Sequence, residues 1–306
     1  MKFKFIFILS VVACSLLNAQ DPFFTQYNSA PLALNPGFAG STGQGRAGIA
    51  FRDQWPAISG NFVTTNISYD QYFSEIHGGL GLNFNNDRQG GGVLNDSRAD
   101  LSYAFRMELA DQRLIIQPAL AVGFLHRHWD VNNLIFVTPE PITVTDKNVI
   151  DISSGFIAYT KRLTVGFAAN HLTQPDIGFV GSSKLPMRFT IHASGVIGNV
   201  SDEFEKKLSV TPQVAFTTQK DFNQVNVGVT AMYSHFLLGV ACRIDDALIG
   251  MIGFQNEYFR AAYSYDYTIS ALDNSETGGA HEITFQYFLF AGKKPVNFLA
   301  PAIPVF

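Results

Sequence analysis

The sequence carries little charge and almost no cysteine: Asp, Glu, Lys and Arg make up 15% of its 306 residues, and Cys14 and Cys242 are its two cysteines. A formal net charge of -4 offers no basic excess to neutralise phosphates, which excludes nucleic-acid binding as a main activity. Beyond Ala19 no run approaches the roughly twenty uninterrupted apolar residues that a spanning helix needs. A membrane protein of this composition crosses the bilayer as a closed barrel. What the chain has in abundance is Phe (28), Gly (26) and Tyr (11), spread along its length.

Residues 1–19 (MKFKFIFILSVVACSLLNA) combine two lysines, an apolar run and small residues near the end, the pattern of a secretory signal cleaved after Ala19. The segment VVAC also resembles a lipobox, which gives lipidation at Cys14 as the alternative start. Either way the chain leaves the cytoplasm. Cleavage after Ala19 leaves Cys242 alone, so an intrachain disulfide is excluded.

Residues 20–44 hold three prolines and a mixed pattern, and read as an irregular leader that lies in the periplasm or tucks into the lumen with Gln26, Tyr27, Asn35 and Pro36. From Gly45 onward, runs of alternating apolar and small or polar residues follow one another with turn signals between them. Strands are expected near 45–54, 61–73, 78–87, 93–107, 112–126, 149–160, 163–171, 187–197, 207–217, 223–233, 235–243, 247–255, 258–268 and 281–290. The last two show the unit plainly. Phe259, Tyr263, Tyr265 and Tyr267 oppose Arg260, Ser264 and Asp266, and Ile283, Phe285 and Tyr287 oppose Glu282, Thr284 and Gln286.

The expected fold is therefore all-β: a single transmembrane, antiparallel, up-and-down β-barrel of about 14 strands, of the outer-membrane type. It occupies 45–290, preceded by the signal and leader and followed by a tail at 291–306. A soluble sandwich also alternates, but a sheet this large closes around an interior too wide for its own side chains, so its aromatic faces suit lipid. Short and long connections mostly alternate, which puts the short turns in the periplasm and the long loops outside, with both termini periplasmic. Arg52, Asp87, Arg88, Arg98, Asp100, Arg106, Arg188, Arg260, Asp266 and Glu282 are expected inside the barrel, Arg52, Arg260, Asp266 and Glu282 being the clearest lumen-facing polar residues.

No catalytic signature is present, and neither a cofactor site nor a metal site is expected. His126 and His128 share a strand face without a third ligand at suitable spacing. HLTQPD at 171–176 has no nucleophile beside it and reads as strand end and loop. The run Gly90–Gly92 has no helix behind it and is a turn rather than a phosphate loop.

Five segments in order, DPFFTQYNSAPLALNPGFAG, FRDQWPAISGNFVTTNISYDQYF, GGLGLNFNNDRQGGGVLNDSRADLSYAFRM, VGFAANHLTQPDIGF and YSYDYTISALDNSETGGAHEITFQYFL, resemble the landmarks of the PorP/SprF family. The resemblance spans nearly all of the mature chain. It implies an outer-membrane protein of the type IX secretion system of gliding and protein-secreting bacteria. One implied role is to bind a secreted substrate or the C-terminal domain of an adhesin and to support its export or surface attachment. The alternatives are a core machinery component linking periplasmic proteins and a peptidoglycan-binding partner, or a solute channel. A barrel hydrolase has little support. On the partner-binding reading, Trp129, Phe136, Phe179 and Leu272 in the long loops are the candidate contacts.

Overall fold

The computed structural model describes residues 21–110, 113–131, 144–198, 208–270, 274–289 and 298–301. The signal at 1–19, the turn at 201–207, and Phe136, Leu272, Phe290 and Phe306 lie outside the described residues. The β-segments are β1 (Gly45–Gln54), β2 (Phe62–Phe73), β3 (Gly78–Gln89), β4 (Leu94–Phe105), β5 (Met107–Leu109), β6 (Leu114–Trp129), β7 (Asp146–Tyr159) and β8 (Leu163–Asn170). They continue as β9 (Arg188–Gly195), β10 (Ile197–Gly198), β11 (Leu208–Gln219), β12 (Phe222–Tyr233), β13 (Phe236–Arg243), β14 (Ala247–Gln255), β15 (Phe259–Thr268) and β16 (Ala280–Leu289).

β5 continues β4 past Arg106, both pairing with β6, and β10 continues β9 past Val196, both pairing with β11. The 16 segments less these two continuations leave fourteen strands. Each is antiparallel to its chain neighbour, and β16 pairs with β1 from Gly45↔Leu289 to Gln54↔Ala280. The sheet is a closed up-and-down barrel, so it has no free edge to template association with another chain.

The residue-by-residue alternation decides which side of that wall is greasy. In β6 the outward set includes Leu120 (60% exposed), while its neighbours Ala119 and Ala121 are buried. Ile150, Leu238, Val240 and Ile283 are likewise exposed on the outer face, whereas Gln117, Ser153, Ser264 and Glu282 are buried on the inner one. An apolar exterior around a polar interior is stable only where the exterior meets hydrocarbon. Rings gather where β13 to β16 meet the short-turn end. Phe236, Phe254, Phe259 and Phe285 form a chain with centroids 5.7 Å apart at each step. Such a band is what an interfacial aromatic girdle requires.

Gly45 and Leu289 stand at the same rim, where the strands are joined by the brief connections 74–77, 160–162, 234–235 and 256–258. The opposite rim carries the long connections, including 130–145, 171–187 and 269–279. One inward assignment fails. Asp87 is buried and Arg88 is exposed, because consecutive residues of a strand point to opposite faces and the two cannot share the lumen.

Candidate functional site

The lumen contains the leader, the second of the two places expected for it. Residues 21–44 have no strand or helix period. They fold as a 3-10 turn at Tyr27–Ser29, a single α turn at Pro31–Leu34 and a 3-10 turn at Pro36–Phe38. The segment runs down the barrel axis from the long-loop rim to the short-turn rim, where it enters β1. Asp21 meets His171, Arg188 and Gln219, all at the long-loop rim. Gly40 donates its N–H to Asp70 Oδ2 at 2.9 Å near the other end. Asp21 and the start of β1 thus lie at opposite rims. The two ends of the barrel wall, Gly45 and Leu289, share the short-turn rim, and the leader crosses the lumen to reach it.

Polar anchors fix the leader at three levels. Near the long-loop rim, Thr25 Oγ1 donates to Asp266 Oδ2 (2.7 Å), and the backbone N–H groups of Thr25 and Gln26 donate to the two carboxylate oxygens of Glu282 (2.7 and 2.8 Å). Arg52 pairs with Asp266 (2.9 Å) and Glu282 (3.4 Å), donates to Thr25 Oγ1, and is joined by Arg243 on Asp266 (3.0 Å). The Phe23 ring lies under the Arg243 guanidinium, 4.4 Å from its centroid. At mid-depth Asn28 donates to Gln213 (2.7 Å), and Asn35, fully buried, donates to the carbonyls of Phe156 and Phe167 (3.0 Å each). Lower down, Arg46 bridges Asp70 (2.8 Å) and the Phe38 carbonyl (3.2 Å).

Apolar leader residues complete the fit. Phe38 packs with Ile115, Ile157, Tyr159 and Leu299, and Leu32 and Ala39 pack with Ala104 and Ala119. The wall makes room by omitting side chains. A Cβ on Gly79 would collide with the Ala39 carbonyl, and one on Gly155 with the Asn35 side chain. A barrel otherwise too wide to fill itself is thereby packed by its own first segment. The tail adds to this at the short-turn rim, where Phe298 stacks under Arg106 at 3.8 Å and Arg106 also binds the Leu299 carbonyl at 3.0 Å.

Of the residues expected in the lumen, Arg52, Asp266 and Glu282 converge on one cluster, each no more than 2% exposed. Arg260 faces inward too, donating to Gln255 (2.9 Å) and Gln286 (3.3 Å), but belongs to a separate group. Trp129 and Phe179 meet at the long-loop rim, their centroids 5.4 Å apart and both rings half-buried. His126 and His128 sit at that rim on the outward face, bonded to Asn148 (2.9 Å) and Asp146 (2.8 Å). Among the described residues no group of three metal-ligating side chains forms.

A second cluster gathers Arg98 and Arg188, both expected inside, around three residues that were not expected there. His171 lies between Asp151 and Asp21, 2.6 Å from each, with Arg98 on Asp151 (2.7 Å) and Arg188 on Asp21 (3.2 Å). Burial alone would lower the His171 pKa, but the charge of Asp21 and the hydrogen bonds to both carboxylates outweigh it and raise the value above 6.5. Burial raises the Asp21 carboxyl, yet His171 and Arg188 hold it well below the usual carboxylate range. Asp151 and Arg243 occupy inward parity positions and were legible in principle. Asp21 lies in an aperiodic segment and gave no signal.

A family described as type IX secretion system membrane protein PorP/SprF matches residues 16–287. Comparison with curated proteins gives no match. Among solved structures, the toluene transporter TbuX of Ralstonia pickettii is 12% identical, with 88% of this chain and 95% of that chain covered and a TM-score of 0.48. The toluene transporter TodX of Pseudomonas putida is 9% identical, covering 87% of this chain and 94% of that chain at a TM-score of 0.47. With its greasy closed wall, its plugged lumen and a family match over most of its length, the chain is an outer-membrane β-barrel and belongs to the PorP/SprF family of type IX secretion system membrane proteins.

Proposed function

We propose that this barrel binds a secreted protein, such as the C-terminal domain of an adhesin, at its long-loop rim and supports that protein's export or attachment at the cell surface. The observation that carries the reading is the plug. A pore occupied along its axis by residues 21–44 and closed below by Phe298 and Leu299 is unsuited to conduct a substrate, which leaves the rims as working surfaces. The long-loop rim, taken as extracellular, carries the Trp129 and Phe179 rings, the kind of aromatic anchor that dominates interfaces. The role is one of binding, without catalysis. Phe136 and Leu272, outside the described residues, remain candidate contacts on sequence grounds.

The test is affinity purification from native outer membranes after cross-linking, with mass spectrometry. A secreted protein should co-purify with the chain and be lost when Trp129 and Phe179 are both changed to Ala. Capture of periplasmic proteins and a peptidoglycan-binding protein alone would move the role to the secretion machinery, and capture of neither class would overturn the proposal. A solute channel is the weaker alternative, since it requires the leader to leave.

A further inference from the structure

The leader is held near the long-loop rim by three separate devices, each of which recognises a different feature of a peptide. The carboxylate of Asp21 is taken by His171 and Arg188. Two residues on, the Phe23 ring is covered by the guanidinium groups of Arg243 (4.4 Å) and Arg52 (5.9 Å). Two residues further, consecutive backbone N–H groups are read by Glu282. The first two devices select side chains and the third reads only main chain, at the turn formed by Thr25 and Gln26, a division of labour typical of peptide recognition. Residues 21–24 form no turn or helix, so nothing within the leader itself holds them in place.

Two further features bear on exchange. Beside this stretch lies a cavity of about 140 Å³, lined by Phe24 and Leu32 of the leader and by Asn85, Arg98 and Arg127 of the wall. Two buried polar atoms of its lining, Asn85 Oδ1 and Arg188 Nε, have no hydrogen-bond partner among the described residues. The lower leader has its own anchors at Asn35, Phe38 and Gly40, independent of those that hold residues 21–26.

We infer that the long-loop half of the lumen is a receptor site for a peptide segment bearing a carboxylate and, two residues on, an aromatic ring, and turning where its next two N–H groups meet Glu282, and that residues 21–26 occupy this site in cis. The inference goes beyond the attachment reading, and peptide capture is measurable without any secreted partner, so the two fail separately.

The experiment uses the purified full chain in detergent, intact and with Phe23→Ala, and a fluorescent synthetic peptide of sequence QDPFFTQYNSA. The Phe23→Ala chain keeps the lower anchors, and its folding is checked by resistance to heat unfolding on gels. It should bind the peptide saturably and at least tenfold more tightly than the intact chain, whose own leader competes. A peptide with Asn in place of its Asp, and another with Ala in place of its first Phe, should each bind at least fivefold more weakly. Because these changes are made in the peptide, they probe both side-chain devices without altering the barrel. Absence of saturable binding to the loosened chain, or equal affinity for all three peptides, would overturn the inference.

Discussion

Glu282 has no exposed surface, yet its two oxygens accept from consecutive backbone groups of the leader while Arg52 balances its charge. Burying such a pair adds little net stability, but removing one member leaves the other unsatisfied. Glu282→Gln should therefore loosen the leader, costing about 1–3 kcal/mol, read as faster hydrogen exchange at residues 25 and 26 with the strands unchanged. The Asp21–His171 pair makes a pH-dependent counterpart. The folded pKa of His171 lies above its ordinary 6.5, so its contribution is complete below that value and is lost as pH rises through the folded pKa. Asp21 is shifted down, so its contribution is present above its ordinary 3.8 and is lost as pH falls through the folded value. With Asp151, Arg98 and Arg188 charged around them, the rim end of the leader should be held best from mildly acid to neutral pH. With the intrinsic base-catalysed rate divided out, exchange protection at residues 21, 23 and 24 should fall as pH rises through the folded pKa of His171, and His171→Gln should abolish that fall. Arg52, Asp266 and Glu282 were legible in the sequence because strand parity fixes a face. Asp21 was not, because no period connects it to the wall.

At the level of elements, the strands were the readable part. An apolar residue every second position over ten or more residues permits no other closed arrangement in lipid, and the turns mark the ends. The same rule corrects Arg88, whose neighbour Asp87 holds the inward position. Leu120 tests the outer face directly. Leu120→Arg should cost about 2–4 kcal/mol in refolding titrations with lipid vesicles if the residue lies near the bilayer midplane, while Lys in place of a rim residue should cost much less. Arg106 tests the lower closure. It donates to Glu108 (2.9 Å), Tyr159 (2.6 Å) and the Leu299 carbonyl (3.0 Å), and it covers Phe298. Arg106→Ala should release the tail and make it protease-sensitive, with the barrel still resistant to heat. Neither the leader's depth nor the tail's return was legible, since both depend on side chains from strands far apart in sequence.

For the whole molecule, the consequence of a filled lumen is electrical silence. The intact chain in a planar bilayer should show no steady conductance, and deletion of residues 21–36 should produce open-channel currents. Steady conductance from the intact chain would remove the ground on which the surface-binding role rests. The path of the leader also bears on how the molecule is made. Between Asp21 and Gly45 the chain crosses the height of the barrel once before its first strand does. The wall, closed by β16 on β1, encircles a thread that shares its covalent chain, much as a sleeve is knitted around a mandrel. Closure must then wait for the thread, or the thread must be drawn through a finished ring, and a bulky folded domain fused ahead of Asp21 would jam either route.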